Sequence, residues 1–65
     1  MKVSRQKVDV LMARKSIESQ KKLSEKSGVS RQSISYILNG RSCQPFVAAK
    51  IANALGVDVT EILED

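Results

Sequence analysis

Three glycines and a single proline are spaced along this chain in a way that leaves few folds open to it. Gly28, Gly40 and Gly56 each follow a stretch of helix-forming residues, and glycine is common just past a helix C-terminus because it adopts left-handed backbone without strain. Pro45 suits the first turn of a helix, where a missing N–H leaves no hydrogen bond unmade. No stretch alternates apolar and polar residues as a half-buried strand does. The pattern predicts short helices joined by tight turns and no sheet.

Cap residues and apolar spacing predict five helices. The predicted segments are residues 4–15, 19–26, 30–38, 45–55 and 58–63. Ser4, Ser19 and Ser30 are expected to be the N-caps of the first three segments, because a serine hydroxyl accepts a hydrogen bond from a free backbone N–H there. Asp58 and Glu61 have the spacing of a capping box, which predicts the start of the fifth helix. We therefore expect a compact all-α domain with five helices.

Composition restricts the size and the chemistry of this domain. Its 65 residues, 42% of them hydrophobic, are enough for one small core, so residues 1–65 are interpreted as a single domain. The chain has no His and one Cys, Cys43, which excludes a disulfide framework and argues against a zinc site. Neither a catalytic acid pair nor a phosphate-binding loop is visible. We expect no enzyme activity, no cofactor, no metal and no small-molecule ligand.

Membrane and export signals are also missing from the sequence pattern. No apolar run approaches the roughly 20 residues of a membrane helix. No apolar block follows residues 1–6, as it would in a signal peptide. The sequence predicts a soluble intracellular domain that does not associate with a membrane.

Charge is distributed unevenly along the chain. Residues 1–42 carry ten Lys or Arg and three acidic residues, a net charge of +7, whereas residues 43–65 carry a net charge of −3. A basic segment joined to an acidic end is expected for a protein with one face toward a polyanion. Ordinary solvated helix faces explain the same distribution equally well, so charge alone does not decide between the two.

The second and third predicted helices are short and are separated by the turn Ser27-Gly28-Val29-Ser30. This is the arrangement of a DNA-binding helix-turn-helix, whose second helix enters the major groove. Gly28 allows the sharp reversal, and the small Ser24 allows the two helices to approach closely. The apolar residues expected to hold the two helices together are Leu23, Val29, Ile34 and Ile37.

Two stretches carry a resemblance to a known family. Residues 20–40, QKKLSEKSGVSRQSISYILNG, and residues 50–63, KIANALGVDVTEIL, resemble the Cro/phage-repressor-like (XRE-like) helix-turn-helix domains. With the first helix, the resemblance covers nearly the whole chain. It implies a five-helix, lambda-repressor-like DNA-binding domain with the helix-turn-helix at helices 2 and 3. It also implies that residues 30–38 form the recognition helix.

The resemblance also assigns DNA-contacting positions. The residues that match base-facing positions of the family are Arg31, Gln32, Ser35 and Tyr36. The residues assigned to the DNA backbone are Gln20, Ser33, Asn39, Arg41 and Ser42. The chemistry agrees for the first two base-facing residues, since Arg can bind guanine O6 and N7 and Gln can pair with adenine N6 and N7.

The function implied by the resemblance is a sequence-specific transcriptional regulator, a repressor acting on double-stranded DNA in a bacterial or phage-infected cytoplasm. It also implies a homodimer on a two-fold symmetric operator, since one small domain contacts few base pairs. The acidic end is expected to supply the dimer interface through its apolar residues, Val57, Val59, Ile62 and Leu63. Two alternatives stay open. One is an antitoxin-like or excision-control DNA-binding protein that needs a partner chain, and the other is a protein–protein interaction module on the same fold.

Overall fold

Four α-helices make up most of residues 1–64, the part of the chain that the computed structural model describes. They are α1 (Arg5–Arg14), α2 (Gln20–Ser27), α3 (Arg31–Leu38) and α4 (Pro45–Ala54), and a short 3₁₀ helix (Val59–Glu61) follows them. Among the described residues no strand forms, and only isolated bridges join Lys2 to Ser42 and Val3 to Leu63. The all-α class is confirmed for residues 1–64. None of the helices there has the length and apolar character that a membrane span requires.

Side-chain caps explain where the first three helices begin. Ser4, Ser19 and Ser30 each accept a hydrogen bond from the backbone N–H three residues later, at 3.2, 3.3 and 3.1 Å respectively. Gly28 ends α2 in left-handed backbone with φ of 76°, and Pro45 lies in the first turn of α4. These caps satisfy backbone groups that a short helix otherwise leaves without partners. The positions predicted for the first four helices are confirmed.

The predicted fifth helix forms only as the three-residue 3₁₀ helix Val59–Glu61, not as an α-helix over residues 58–63. Asp58 accepts a hydrogen bond from the Thr60 N–H, two residues on, so the expected capping box with Glu61 is replaced by a 3₁₀ turn. After this turn the backbone pairs with the start of the chain, because the Ser4 N–H donates to the Ile62 carbonyl at 2.7 Å. The Glu64 N–H donates in the same way to the Lys2 carbonyl at 3.1 Å. These tertiary hydrogen bonds join the segment to the start of the chain, so the Glu64 N–H is not available to extend a helix.

One apolar core lies between the helices. It contains Val3, Val8, Leu11, Met12, Ile17, Leu23, Val29, Ile34, Ile37, Leu38, Ala48, Ile51, Ala52, Leu55 and Ile62. α2 contacts both α3 and α4, and the 3₁₀ helix packs against α4. The core therefore fixes α3 from its inner side.

The position of Ile62 corrects the predicted dimer interface. Its side chain is 0% exposed and belongs to the core of the single chain, so it is not available to a second copy. Val57 and Val59 are partly buried and pack against the same core. The apolar residues of this segment therefore serve first to anchor it to the core, where the 3₁₀ helix packs against α4. Leu63 is half-buried and pairs with Val3 through a backbone bridge.

Residues 1–4 run as an extended strip between two other segments. On one side, the Cys43 N–H donates to the Met1 carbonyl at 2.8 Å, and the Met1 amino group donates to the Cys43 carbonyl at 3.0 Å. On the other side lie the hydrogen bonds to Ile62 and from Glu64. Val3 in the middle of the strip is buried in the core. The strip thus connects the α3–α4 loop to the C-terminal segment.

Candidate nucleic-acid interface

The turn between α2 and α3 is held by short-range hydrogen bonds. The Ser24 hydroxyl donates to the Val29 carbonyl, and the Gly28 N–H donates to the Ser24 carbonyl at 2.9 Å. The Ser27 hydroxyl accepts from the Val29 N–H at 3.2 Å. Since polar groups on both sides of the reversal are paired, the direction in which α3 leaves the turn is well determined. Ser30 then caps α3 immediately.

α3 has one buried face and one exposed face. Ile34, Ile37 and Leu38 are buried in the core. Arg31 and Gln32 are exposed in the first turn of the helix, and Tyr36 is exposed one turn later. Ser35, which lies one turn after Arg31, is partly buried. The four residues predicted to face bases therefore lie on neighbouring positions of one helix, with Ser35 at the edge of the exposed face.

The loop after α3 brings a second cation to the same side. The Arg41 guanidinium carbon lies 5.5 Å from the centre of the Tyr36 ring, within the range of a cation–π contact. Asn39, Arg41 and Ser42 are all exposed. The structure thus brings Arg41 of the predicted backbone-contacting set next to the exposed face of α3.

A groove of about 360 Å³ runs between α3 and the start of α4. From α3 it is lined by Gln32, Ser33 and Tyr36, and from the other side by residues that include Ser42 and Gln44. Sequence reasoning missed Gln44. Its side chain makes no cap hydrogen bond at the start of α4 and is exposed. The sequence signal that could have indicated Gln44 is its position directly before Pro45, which starts α4. This end of α4 is also the end where the loop with Arg41 lies.

Three of the predicted backbone-contacting residues lie in distinct surroundings. The Ser33 hydroxyl accepts a hydrogen bond from the Ser30 hydroxyl at 2.9 Å, and its own hydrogen remains available to donate. Gln20 is the first residue of α2 and is partly buried, and Asn39 is the exposed cap residue at the end of α3. Neither Gln20 nor Asn39 lines the groove between α3 and α4.

The arginines on this side carry charge that no acid neutralises locally. Within residues 1–64, no carboxylate oxygen lies within 4.0 Å of a guanidinium nitrogen of Arg31 or Arg41. The described arginine that does form an ion pair is Arg5, on α1, with Asp9 at 3.7 Å. Exposed, unpaired guanidinium groups beside polar amides and hydroxyls are suited to bind phosphate oxygens and base edges.

Comparison with known proteins agrees with this arrangement. A family model described as a helix-turn-helix matches residues 19–62, which is more than half of the chain. The match begins at the Ser19 cap of α2 and ends at Ile62 in the core. Searches of curated proteins and of solved structures returned no match.

Proposed function

Because the chain belongs to the XRE family of helix-turn-helix domains, we propose that it is a sequence-specific repressor that reads the DNA major groove. Membership in this family indicates a DNA-binding regulator. In the proposal, α2, its turn and α3 form the helix-turn-helix unit, and α3 is the recognition helix. The observation that carries it is the division of α3, whose inner face is buried in the core while Arg31 and Gln32 are exposed at its N-terminal end. Within residues 1–64, Arg31 has no carboxylate partner.

Base reading is proposed for the exposed face of α3. Arg31 would bind guanine through O6 and N7, and Gln32 would pair with adenine through N6 and N7. Each well-placed contact of this kind discriminates against the wrong base by about 1–3 kcal/mol. Ser35, one turn later, would contact the next base along the groove, and Tyr36 lies beside it on the same turn.

Backbone contacts are proposed for residues on both sides of α3. Arg41 supplies a charge-assisted contact to a phosphate, and the exposed Asn39 and Ser42 lie in the same loop. Gln20, at the start of α2, and Ser33 complete the set. Such contacts set the position of the helix in the groove without carrying sequence information themselves.

Repression and dimerisation belong to the same proposal. A bound domain excludes other proteins from the DNA that it covers, which is the simplest way for a small reader to repress. Two copies on a two-fold symmetric site double the number of bases read, with half-sites about one helical turn apart. Since Ile62 is buried, the proposed dimer contact uses Leu63 and the exposed edges of Val57 and Val59.

An in-vitro selection against random 30-base-pair duplexes at physiological salt tests the proposal. We expect enrichment of an inverted repeat. The Arg31→Ala variant should lose preference at one base pair of each half-site. The Arg14→Ala variant, which removes the same charge from α1, should enrich the same DNA sequence as the wild-type protein does.

Two results would contradict the proposal. The absence of any enriched sequence, with binding that disappears as salt rises, would leave only nonspecific attraction to phosphates. A partner chain would then be sought before any operator. Equal weakening of selected and random duplexes by Arg31→Ala would show that Arg31 does not read a base.

A further inference from the structure

The contact between Tyr36 and Arg41 joins the exposed face of α3 to the loop that follows it. We infer that Tyr36 is a positioning residue, whose ring holds the Arg41 guanidinium where it can bind a DNA phosphate. The inference rests on the proposed DNA binding. It gives Tyr36 a role that is independent of base sequence, in place of the base contact that the family resemblance implies for the same side chain.

The geometry of the chain after α3 makes this contact possible. Gly40 has φ of 96°, a backbone conformation that turns the chain back sharply after the helix ends. Arg41 follows directly, and its guanidinium carbon comes to 5.5 Å from the ring centre of a residue on the last turn of α3. The Tyr36 side chain is 57% exposed, so the ring is a surface feature and not part of the core. Packing in the core therefore does not explain the position of the Tyr36 ring.

The loop backbone on the other side of Arg41 is fixed. Ser42 forms a bridge with Lys2, and Cys43 exchanges two hydrogen bonds with Met1, at 2.8 and 3.0 Å. With the backbone held at residues 42 and 43, the main freedom left to Arg41 is rotation of its own side chain. The Tyr36 ring restricts that rotation.

No acid in the described part of the chain competes with the ring for Arg41. Among residues 1–64, no carboxylate oxygen lies within 4.0 Å of its guanidinium nitrogens, so the guanidinium keeps its full charge for an external anion. A π face attracts a cation without neutralising it or occupying its N–H donors, which stay free to bind phosphate oxygens. An aromatic ring thus orients an arginine for anion binding, whereas a carboxylate in the same place would block it.

Four variants test the inference: Tyr36→Phe, Tyr36→Leu, Arg41→Ala and the double variant with Tyr36→Leu and Arg41→Ala. Dissociation constants are measured for a selected duplex and a random duplex over a range of salt concentrations. In the free protein, NMR shifts of the Arg41 δ protons report the ring contact, because a proton above an aromatic ring moves upfield. Circular dichroism confirms that each variant folds.

We expect Tyr36→Phe to match the wild type, because the phenyl ring keeps the contact. Tyr36→Leu should weaken both duplexes alike, by roughly two- to fivefold, the size expected for an exposed cation–π contact, and should abolish the upfield shift. Arg41→Ala should weaken both duplexes and reduce the salt slope by about one. The double variant should bind no more weakly than Arg41→Ala alone, since the ring acts through the arginine.

The failures of the inference and of the proposed function are distinguishable. If Tyr36→Leu changes which bases are preferred, or weakens binding equally with and without Arg41, Tyr36 contacts DNA directly and the inference is overturned. It is likewise overturned if Tyr36→Leu binds as the wild type does, or if the wild type shows no upfield shift. A wild-type protein that binds no duplex at all would overturn the proposed function and the inference together.

Discussion

Single side chains on the proposed DNA-binding side serve either the fold or an external partner. The Ser30 hydroxyl accepts the Ser33 N–H at the start of α3 and donates to the Ser33 hydroxyl, so it is committed to the fold. Arg31, the next residue, is exposed and has no carboxylate partner within residues 1–64. A cation at a helix N-terminus is mildly unfavourable because the helix dipole is positive there. The charge of Arg31 therefore does not stabilise α3, which supports a role in binding.

Gly28 is the residue whose backbone is most specific to the turn between α2 and α3. Its φ of 76° is left-handed, and a Cβ built there would meet no atom within 4 Å. We expect Gly28→Ala to lower the free energy of unfolding by about 1–2 kcal/mol, from backbone strain alone. Urea denaturation followed by circular dichroism measures this difference. Gly28→Asn is the matched control and should lose less, because Asn tolerates left-handed backbone; an alanine variant as stable as the wild type would mean that the turn relaxes.

Asp58 gives the stability of the domain a dependence on acid pH. The Thr60 hydroxyl and N–H donate to its carboxylate and hold the pKa of Asp58 below its ordinary value of 3.8. Because the pKa is lower in the folded state, this stabilisation is present above the unfolded pKa and is lost as the pH falls through the folded pKa. We expect the Asp58→Asn variant to lack the loss of stability on acidification that comes from protonation of Asp58. Urea midpoints measured from neutral to strongly acidic pH check it.

Thr60→Val is the matching variant for this pH effect. It removes the hydroxyl donor but keeps the backbone N–H, so it should remove a part of the pH dependence and Asp58→Asn the whole of it. If the wild type and Asp58→Asn lose stability in parallel as the pH falls below the ordinary pKa of Asp58, the hydrogen bonds of Thr60 do not stabilise the charged carboxylate.

At the scale of elements, local sequence determines the four α-helices and fails for the fifth. Ser4, Ser19 and Ser30 cap their helices as the spacing predicts, because a cap depends on residues three positions apart. The segment after Asp58 has the same local signals. Its backbone pairs instead with residues 2–4 through the Ile62 carbonyl and the Glu64 N–H, and no local pattern shows partners that lie almost the whole chain away.

Ser30 separates the stability of α3 from its proposed binding role. We expect Ser30→Ala to lower the free energy of unfolding by about 1 kcal/mol, because the α3 cap is lost. Ser30→Asp should keep that stability, since a carboxylate also caps and favours the helix dipole. The same variant should weaken DNA binding by repelling phosphates near the N-terminus of α3. Thermal unfolding and fluorescence anisotropy with a labelled duplex measure the two effects.

A matching change on α1 serves as the control for this experiment. Ser4→Asp places the same charge at the N-cap of α1, a residue that does not line the groove between α3 and α4. It should weaken binding less than Ser30→Asp does. If the two variants bind DNA alike, the N-terminus of α3 is not closer to the phosphates than that of α1.

For the candidate site, the sequence predicts which residues of α3 are exposed, but it does not predict which residues of other segments they contact. Arg31, Gln32 and Tyr36 face outward because the apolar residues of α3 fix which side is buried. The contact of Tyr36 with Arg41 depends on the backbone of Gly40 and on the pairing of the loop with residues 1 and 2, neither of which leaves a periodic signal. Gln44 was missed for a similar reason, because tertiary packing brings the start of α4 beside α3.

At the scale of the whole molecule, one small core holds every described helix, and the C-terminal segment is part of it. Ile62 is as fully buried as Leu23 of α2 and Ile51 of α4. A domain of this size buries a modest apolar area and has little stability to spare. Residues that look available for assembly in the sequence are therefore needed first to complete the core. For this reason Ile62, which the sequence predicts in the dimer interface, lies in the core of the single chain.

Neighbouring residues of this segment should respond differently to substitution. We expect Ile62→Ala to lower the free energy of unfolding by about 2–5 kcal/mol, the range for truncating a buried aliphatic side chain. Leu63→Asp, at the half-buried neighbour, should lower the stability of the monomer less than Ile62→Ala does and should weaken the proposed dimer. Urea denaturation and sedimentation equilibrium at several protein concentrations separate the two effects. A dimer that survives Leu63→Asp would place the contact between copies elsewhere.

The pairing of residues 1–4 with the C-terminal segment has a kinetic consequence. The hydrogen bond from Ser4 to Ile62 closes a loop that spans nearly the whole chain, and closing so long a loop is entropically costly before the helices have packed. This closure is therefore expected late in folding. Its reversal is expected to be the local opening of the native state that requires the least free energy. In amide hydrogen exchange, Ser4 and Glu64 should lose protection before the core of α4. The Cys43 amide should exchange with them, because the same strip holds the loop that follows α3.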